Sequence, residues 1–179
     1  MPRSDSPDPI AEPLKYQRFL LGLLGDDDAA VVQSATPGAL RLVVADARED
    51  LRARADPGEW SVLECVSHLL DAEIVYSGRY RWILSQDEPT MIGYDQDLWV
   101  ERTHDPTEDP WVMLDIFEGL RLSNVELWKR STPDQRNRIG RHDERGPETF
   151  DLSFRMIAGH DRLHVNQAKR ALATVRKQV

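Results

Sequence analysis

A single cysteine, Cys65, is all the thiol this sequence has. No disulfide can form within the chain, a usage that points to a cytoplasmic protein. A basic excess is missing as well. Lys plus Arg number 23 against 31 Asp plus Glu, a net charge of −8. Nucleic-acid binding needs a concentrated basic face to neutralise phosphates, and docking on an anionic membrane surface needs the same sign of charge. Neither partner is expected. No stretch comes near the ~18 consecutive apolar residues of a membrane span. The apolar run over residues 19–24 is interrupted by Gly22 and follows acidic, proline-rich sequence, so no secretory signal is expected. Sustained strand-like alternation, internal repeats, a glycine-rich phosphate loop and a Ser-His-Asp order are lacking too.

What is present suits one domain with a sizeable core. Residues 1–13 carry four prolines among small and acidic residues and read as a disordered or loosely attached arm. Residues 14–179 read as a single domain. It opens with a short helix stopped by Gly25, and Asp26-Asp27-Asp28 offers a cap for another short helical stretch to about residue 34. Thr36-Pro37 then has the form of a helix start, Thr as N-cap and Pro in the first turn. Leu40, Val43, Val44, Ala47 and Leu51 follow at helical spacing, up to the turn residues Asp56-Pro57-Gly58.

Ser61 and Glu64 have the spacing of a capping box, with Trp60 as a flanking hydrophobic staple. A second long helix continues from there through Leu63, Val66, Leu69, Leu70, Ile74 and Ile83 to about residue 85. Residues 86–109 keep no period and contain Pro89, Gly93 and Pro106. Asp109-Pro110 starts a third helix, whose inner stripe is Leu114, Phe117, Leu120, Arg121, Val125 and Trp128. Residues 133–147 form a second polar loop. Thr149 caps a fourth helix through Leu152, Met156, Ile157, Leu163, Ala168, Ala171, Leu172 and Val175. Four long amphipathic helices with one outsized connection predict an all-α four-helix bundle.

Among five histidines, His160 and His164 stand four apart on one helical face, in line with Ile157, Ala168 and Ala171. Two imidazoles on one turn can grip a transition metal. His68 lies in an otherwise apolar helix and is the candidate third ligand. Three histidines with open positions make a catalytic-type zinc site; imidazole also suits nickel, iron and copper. Spacing alone leaves open the ordinary alternative, separate core histidines each with its own hydrogen bond. Glu64 and Asp71 flank His68 by about one turn and are candidates to orient its ring, although Glu64 also serves the capping box. Glu101-x-x-His104 is half of a di-iron motif, and its other half is absent. His104 and His142 read as solvated loop residues, Cys65 as a buried inert thiol, and Trp99, Trp111 and Trp128 as core and staple residues.

The segment from Trp60 to Glu73, W-S-V-L-E-C-V-S-H-L-L-D-A-E, resembles the W-S-x-x-E-x-x-x-H-L-x-D-x-E signature of the DinB/YfiT-like superfamily. Gly159-His160-Asp161-Arg162-Leu163-His164 resembles its C-terminal G-H-D-x-x-H segment. Arg79, Asp87-Glu88-Pro89, Tyr94 with the residues to Trp99, Arg121 and Gly146-Pro147-Glu148-Thr149 fall where that family has similar residues. The resemblance implies an up-down-down-up bundle, often a homodimer, with a metal held by His68, His160 and His164. The second and third long helices would then be parallel. At ~3.3 Å per extended residue, residues 86–109 can travel the ~37 Å of a 25-residue helix.

For function, the resemblance implies a divalent-metal-dependent enzyme acting on a small molecule. It would be either a thiol-dependent transferase or isomerase, using a low-molecular-weight thiol cosubstrate, or a hydrolase with water in the thiol's place. Zinc is the foremost metal, with nickel or iron as alternatives. A non-catalytic metal-containing binding or stress protein is the competing reading.

Overall fold

The computed structural model describes residues 6–178; residues 1–5 of the expected arm, and Val179, lie outside it. The helices are α1 (Pro13–Leu24), α2 (Ala29–Ala47), α3 (Val62–Ser85), α4 (Gln96–Thr103), α5 (Pro110–Arg130), α6 (Pro133–Arg136) and α7 (Phe150–Gln178). Three short strands, β1 (Thr90–Met91), β2 (Ile139–His142) and β3 (Gly146–Thr149), form a small sheet at one end. β1 and β2 are parallel, β2 and β3 antiparallel.

The helix starts follow local chemistry. Ser61 Oγ accepts from the Glu64 N–H while the Glu64 carboxylate accepts from the Ser61 N–H, which completes the capping box on α3. Asp109 accepts from the Trp111 N–H at the start of α5. Thr149 Oγ1 accepts from the Leu152 N–H at the start of α7. Gly25 ends α1 at φ 61°, in the left-handed region that favours glycine.

Thr36-Pro37 does not start a helix. Asp28 caps α2, and the helix runs through Pro37 without a break. A proline inside a helix frees the carbonyl four residues earlier, here that of Gln33. That oxygen accepts from Arg121 Nη1 at 3.2 Å, so the buried guanidinium replaces the lost backbone donor. The connection over residues 86–109 is also more ordered than its lack of period suggests, holding both β1 and α4, while β2 and β3 occupy the second loop. Strands this short give no alternation to read, and the β1–β2 pairing joins residues about fifty positions apart.

Hydrogen bonds fix the helix directions. Glu73 of α3 meets Arg121 of α5, and Ser77, one turn further on, meets Asn124, so α3 and α5 are parallel. His68 meets His160 while Tyr80 meets Phe150 and Phe154, so α3 and α7 are antiparallel. Gln33, Thr36 and Asp46 of α2 meet Phe154, Asp161 and Arg176 of α7, in parallel. The bundle of α2, α3, α5 and α7 therefore runs up-down-down-up.

Its core divides along its length. Leu40, Val44, Leu69, Leu114, Phe117 and Leu172 fill one end. Tyr80, Ile83, Phe150 and Phe154 fill the other, with Trp128 stacked on Phe154 at 4.4 Å. Ile74 and Trp111, expected inside, are 48% and 43% exposed. α1 lies on α7 through Tyr16, Leu20, Met156 and Leu163, and Arg162 donates to the Leu23 and Leu24 carbonyls at its C-terminus.

The helix crossing explains Gly159. A Cβ there would overlap the backbone carbonyl of Leu20, which cannot rotate aside. Gly159→Ala should therefore force α1 off α7, at a cost of at least ~3 kcal/mol, the upper range for overpacking. Urea unfolding measures it, and a change below ~1 kcal/mol would mean the crossing adjusts freely.

Candidate metal centre

Three imidazoles converge between α3 and α7. His68, His160 and His164 are 1%, 7% and 3% exposed. One ring nitrogen of each lies within 4.8 Å of the others. His68 Nε2 and His160 Nε2 are 2.9 Å apart, and the ring centroids of His164 lie 4.4 Å from those of both other rings. Zinc held at ~2.0–2.1 Å by tetrahedral nitrogen ligands sets those nitrogens ~3.3 Å apart, a spacing this cluster reaches with small side-chain shifts. The donor chemistry fits as well. Burial, and then the Arg121 guanidinium, push His160 down to about 3, so its ring is neutral near pH 7. His164 Nδ1 lies 2.8 Å from Gln167 Oε1. An amide oxygen can only accept, so the His164 proton sits on Nδ1 and Nε2 is left as a donor to a cation.

Trp60 forms a wall, its ring 4.8 Å from His68 and 5.9 Å from His164. A cavity of about 410 Å3 reaches His164 and Gln167, bordered by Tyr16, Asp95, Gln96 and residues 6–10. A smaller cavity, about 60 Å3, reaches His160 from the side of Tyr94 and His142.

The other candidates are placed elsewhere. Glu64 accepts from the Ser61 N–H and pairs with Arg54. Asp71 Oδ2 lies 2.9 Å from His104 Nε2. His104 is therefore not a solvated loop residue. It sits between Asp71 and Glu108, whose carboxylates outweigh its desolvation and raise its pKa. His142 is also buried, 3% exposed, because the β1–β2 pairing folds it inward. Its Nε2 accepts from Arg79 Nη2 at 3.1 Å, and its Nδ1 lies 3.2 Å from both the Glu144 backbone N and an Asp143 carboxylate oxygen. His142, Asp143 and Glu144 also cluster, but both carboxylates are exposed and the imidazole is engaged by Arg79. Cys65 is buried, as expected. Gln167, three residues after His164, was missed by reasoning from the sequence; the i, i+3 spacing was its only signal.

Burial, with the Arg145 and Arg79 charges, lowers His142 to about 4. The folded value lies below the ~6.5 of an unfolded imidazole, so the unfolded chain binds more protons between the two. The stability from neutral His142 and His160 is whole above ~6.5 and is lost as pH falls toward 4 and then 3. His104, raised, acts in the opposite sense and loses its contribution as pH rises through its folded value. Two buried neutral rings outweigh one partly exposed charged one. The urea midpoint of metal-free protein should therefore be lower at pH 5 than at pH 7, and a flat or rising profile would contradict the neutral assignments.

Residues 34–168 match the sequence profile of the DinB superfamily. A protein of Oceanobacillus iheyensis named "Putative metal-dependent hydrolase" is 27% identical over 127 residues, 70% of this chain and 72% of that protein. One of the same name from Geobacillus thermodenitrificans is 32% identical over 100 residues, 54% of each chain. The solved structure of YfiT from Bacillus subtilis superposes with a TM-score of 0.76 at 22% identity, over 85% of this chain and 86% of that one. That structure is described as "a probable metal-dependent hydrolase with an unusual four-helix bundle topology", and the likeness shows the same fold here. With three quarters of its length matched by the family profile, the chain belongs to the DinB superfamily.

Proposed function

We propose that His68, His160 and His164 hold one divalent transition metal, zinc foremost, and that the chain is a small-molecule hydrolase. The observation that carries this is three buried imidazoles meeting beside open cavities, with at least His160 neutral and the His164 proton fixed by Gln167. The names of the relatives favour water over a thiol as the nucleophile. A divalent ion supplies Lewis acidity, acidifying water and polarising a carbonyl. The chain's own residues do the rest. Three histidines leave at least one coordination position open. Trp60 shields His68 and His164, and the cavity at His164 admits substrate.

Gln167 holds the His164 ring and its tautomer. Gln167→Leu should weaken zinc binding by about 10–100-fold, the range for groups that orient a ligating imidazole, with little loss of helicity. Competition against a chromogenic chelator measures it, and unchanged affinity would remove Gln167 from the site.

Elemental analysis of purified protein, followed by turnover of a panel of esters and amides with and without low-molecular-weight thiols, tests the function. Stoichiometric metal and hydrolysis that is lost on chelation, restored by zinc and independent of thiol are expected. Turnover only with thiol would move the assignment to a transferase, and protein purified without stoichiometric metal would overturn it.

A further inference from the structure

The small cavity beside His160 has an unusual lining. Arg79 is 2% exposed, yet no carboxylate pairs with it among the described residues. Its Nη2 donates to the Ile92 carbonyl at 2.6 Å and to neutral His142, and its guanidinium lies over the Tyr76 ring. Arg145 lines the same cavity with a side chain 9% exposed. Its Nε is paired with buried Glu148, but its Nη2 is buried with no hydrogen-bond partner among the described residues. One buried carboxylate thus serves two buried guanidiniums. Glu144, also at this cavity, is exposed, where water screens its charge. Buried cations are normally paired, and an unmet donor in a buried position calls for an acceptor.

We infer that Arg79 and Arg145 receive the carboxylate of an anionic substrate, anchoring it in the cavity that His160 also lines. Guanidiniums match carboxylates through paired N–H donors. The cavity, about 60 Å3, is several times the ~10–15 Å3 that one water needs, enough for a carboxylate and its first carbons. Tyr94 borders it with a hydroxyl that burial keeps protonated, a further donor. His142 is a positioning residue, since its lone pair holds the Arg79 fork. A substrate anchored here carries its next atoms toward His160. The assignment of that end as the reacting end rests on the proposed metal centre.

The test separates the two. Metal-free protein, prepared with a chelator, is titrated with acetate, acetamide and inorganic phosphate while the arginine side-chain 15Nε signals are followed. Saturable acetate binding that shifts Arg79 and Arg145, with acetamide inert, is expected. Arg145→Gln should weaken it by about tenfold or more, the value of a hydrogen bond to a charged group. Arg145→Lys, which keeps a cation for Glu148, should weaken it as well and serves if the glutamine variant does not fold. Absence of saturable acetate binding, unmoved arginine signals, or unchanged affinity in the folded variant would overturn the proposal. Phosphate binding more tightly than acetate would overturn the carboxylate assignment. Zinc stoichiometry measured on the same preparation before chelation reports the metal reading alone, so either can fail without the other.

Discussion

His160→Ala should purify without stoichiometric metal and with most of its helicity. His160 touches both other members of the trio: its Nε2 faces His68 Nε2 at 2.9 Å, and its ring is 4.4 Å from that of His164. Removing it leaves two imidazoles on different helices, and the loss of affinity should exceed the 10–100-fold expected for an orienting group. The fold should survive because both core clusters are built from Leu, Val, Ile and aromatic side chains. Thermal unfolding gives an independent reading. Zinc at about a hundred times its dissociation constant should stabilise the wild-type protein by about 2.7 kcal/mol and leave the variant unmoved. Stoichiometric metal retained in the variant would sink the ligand assignment.

The parts of this molecule that sequence made legible are the ones set by neighbours in the chain. The Ser61–Glu64 box, the Asp109-Pro110 start and the His160–His164 pair are complete within four residues, so their geometry is nearly dictated by their spacing. The long connection over residues 86–109 was legible as a length, which fitted parallel α3 and α5. What stayed hidden depends on distant partners. His142 gives no periodic signal, and its burial follows from strand pairing with residues 90–91. Arg145 sits in a polar turn that looks solvated until Glu148 is seen to be fully buried. Pro37 was misread because a helix start and a tolerated interior proline look alike locally. The difference is Arg121, some eighty residues away, which takes the carbonyl that Pro37 frees.

That arginine is where the largest loss of stability is expected. Arg121, Glu73 and Asp161 are 2%, 1% and 1% exposed. Arg121 donates to Glu73 Oε2 at 2.9 Å and to both Asp161 oxygens, and desolvation is outweighed by these two carboxylates, so the guanidinium stays charged. Asn124 donates to Glu73 and Thr36 to Asp161, so the cluster ties α2, α3, α5 and α7 together. Arg121→Met would leave two buried carboxylates without their cation, at a cost of about 3–5 kcal/mol. For a chain of this size that lowers the thermal midpoint by about 6–20 °C. Arg121→Lys, keeping charge but losing the fork, should fall between. Replacing Glu73 by Gln and Asp161 by Asn in the Arg121→Met background should recover part of the loss, because neutral amides cost less to bury than bare carboxylates. If Arg121→Met instead unfolds within ~1 kcal/mol of wild type, the carboxylates are already neutral or reach water, and the cluster is not what binds the four helices. Asp161 is the residue between His160 and Arg162, so the same cluster also fixes the turn of α7 that presents His160. The metal affinity of Arg121→Lys, compared with its stability, would measure how far that fixing extends to the site.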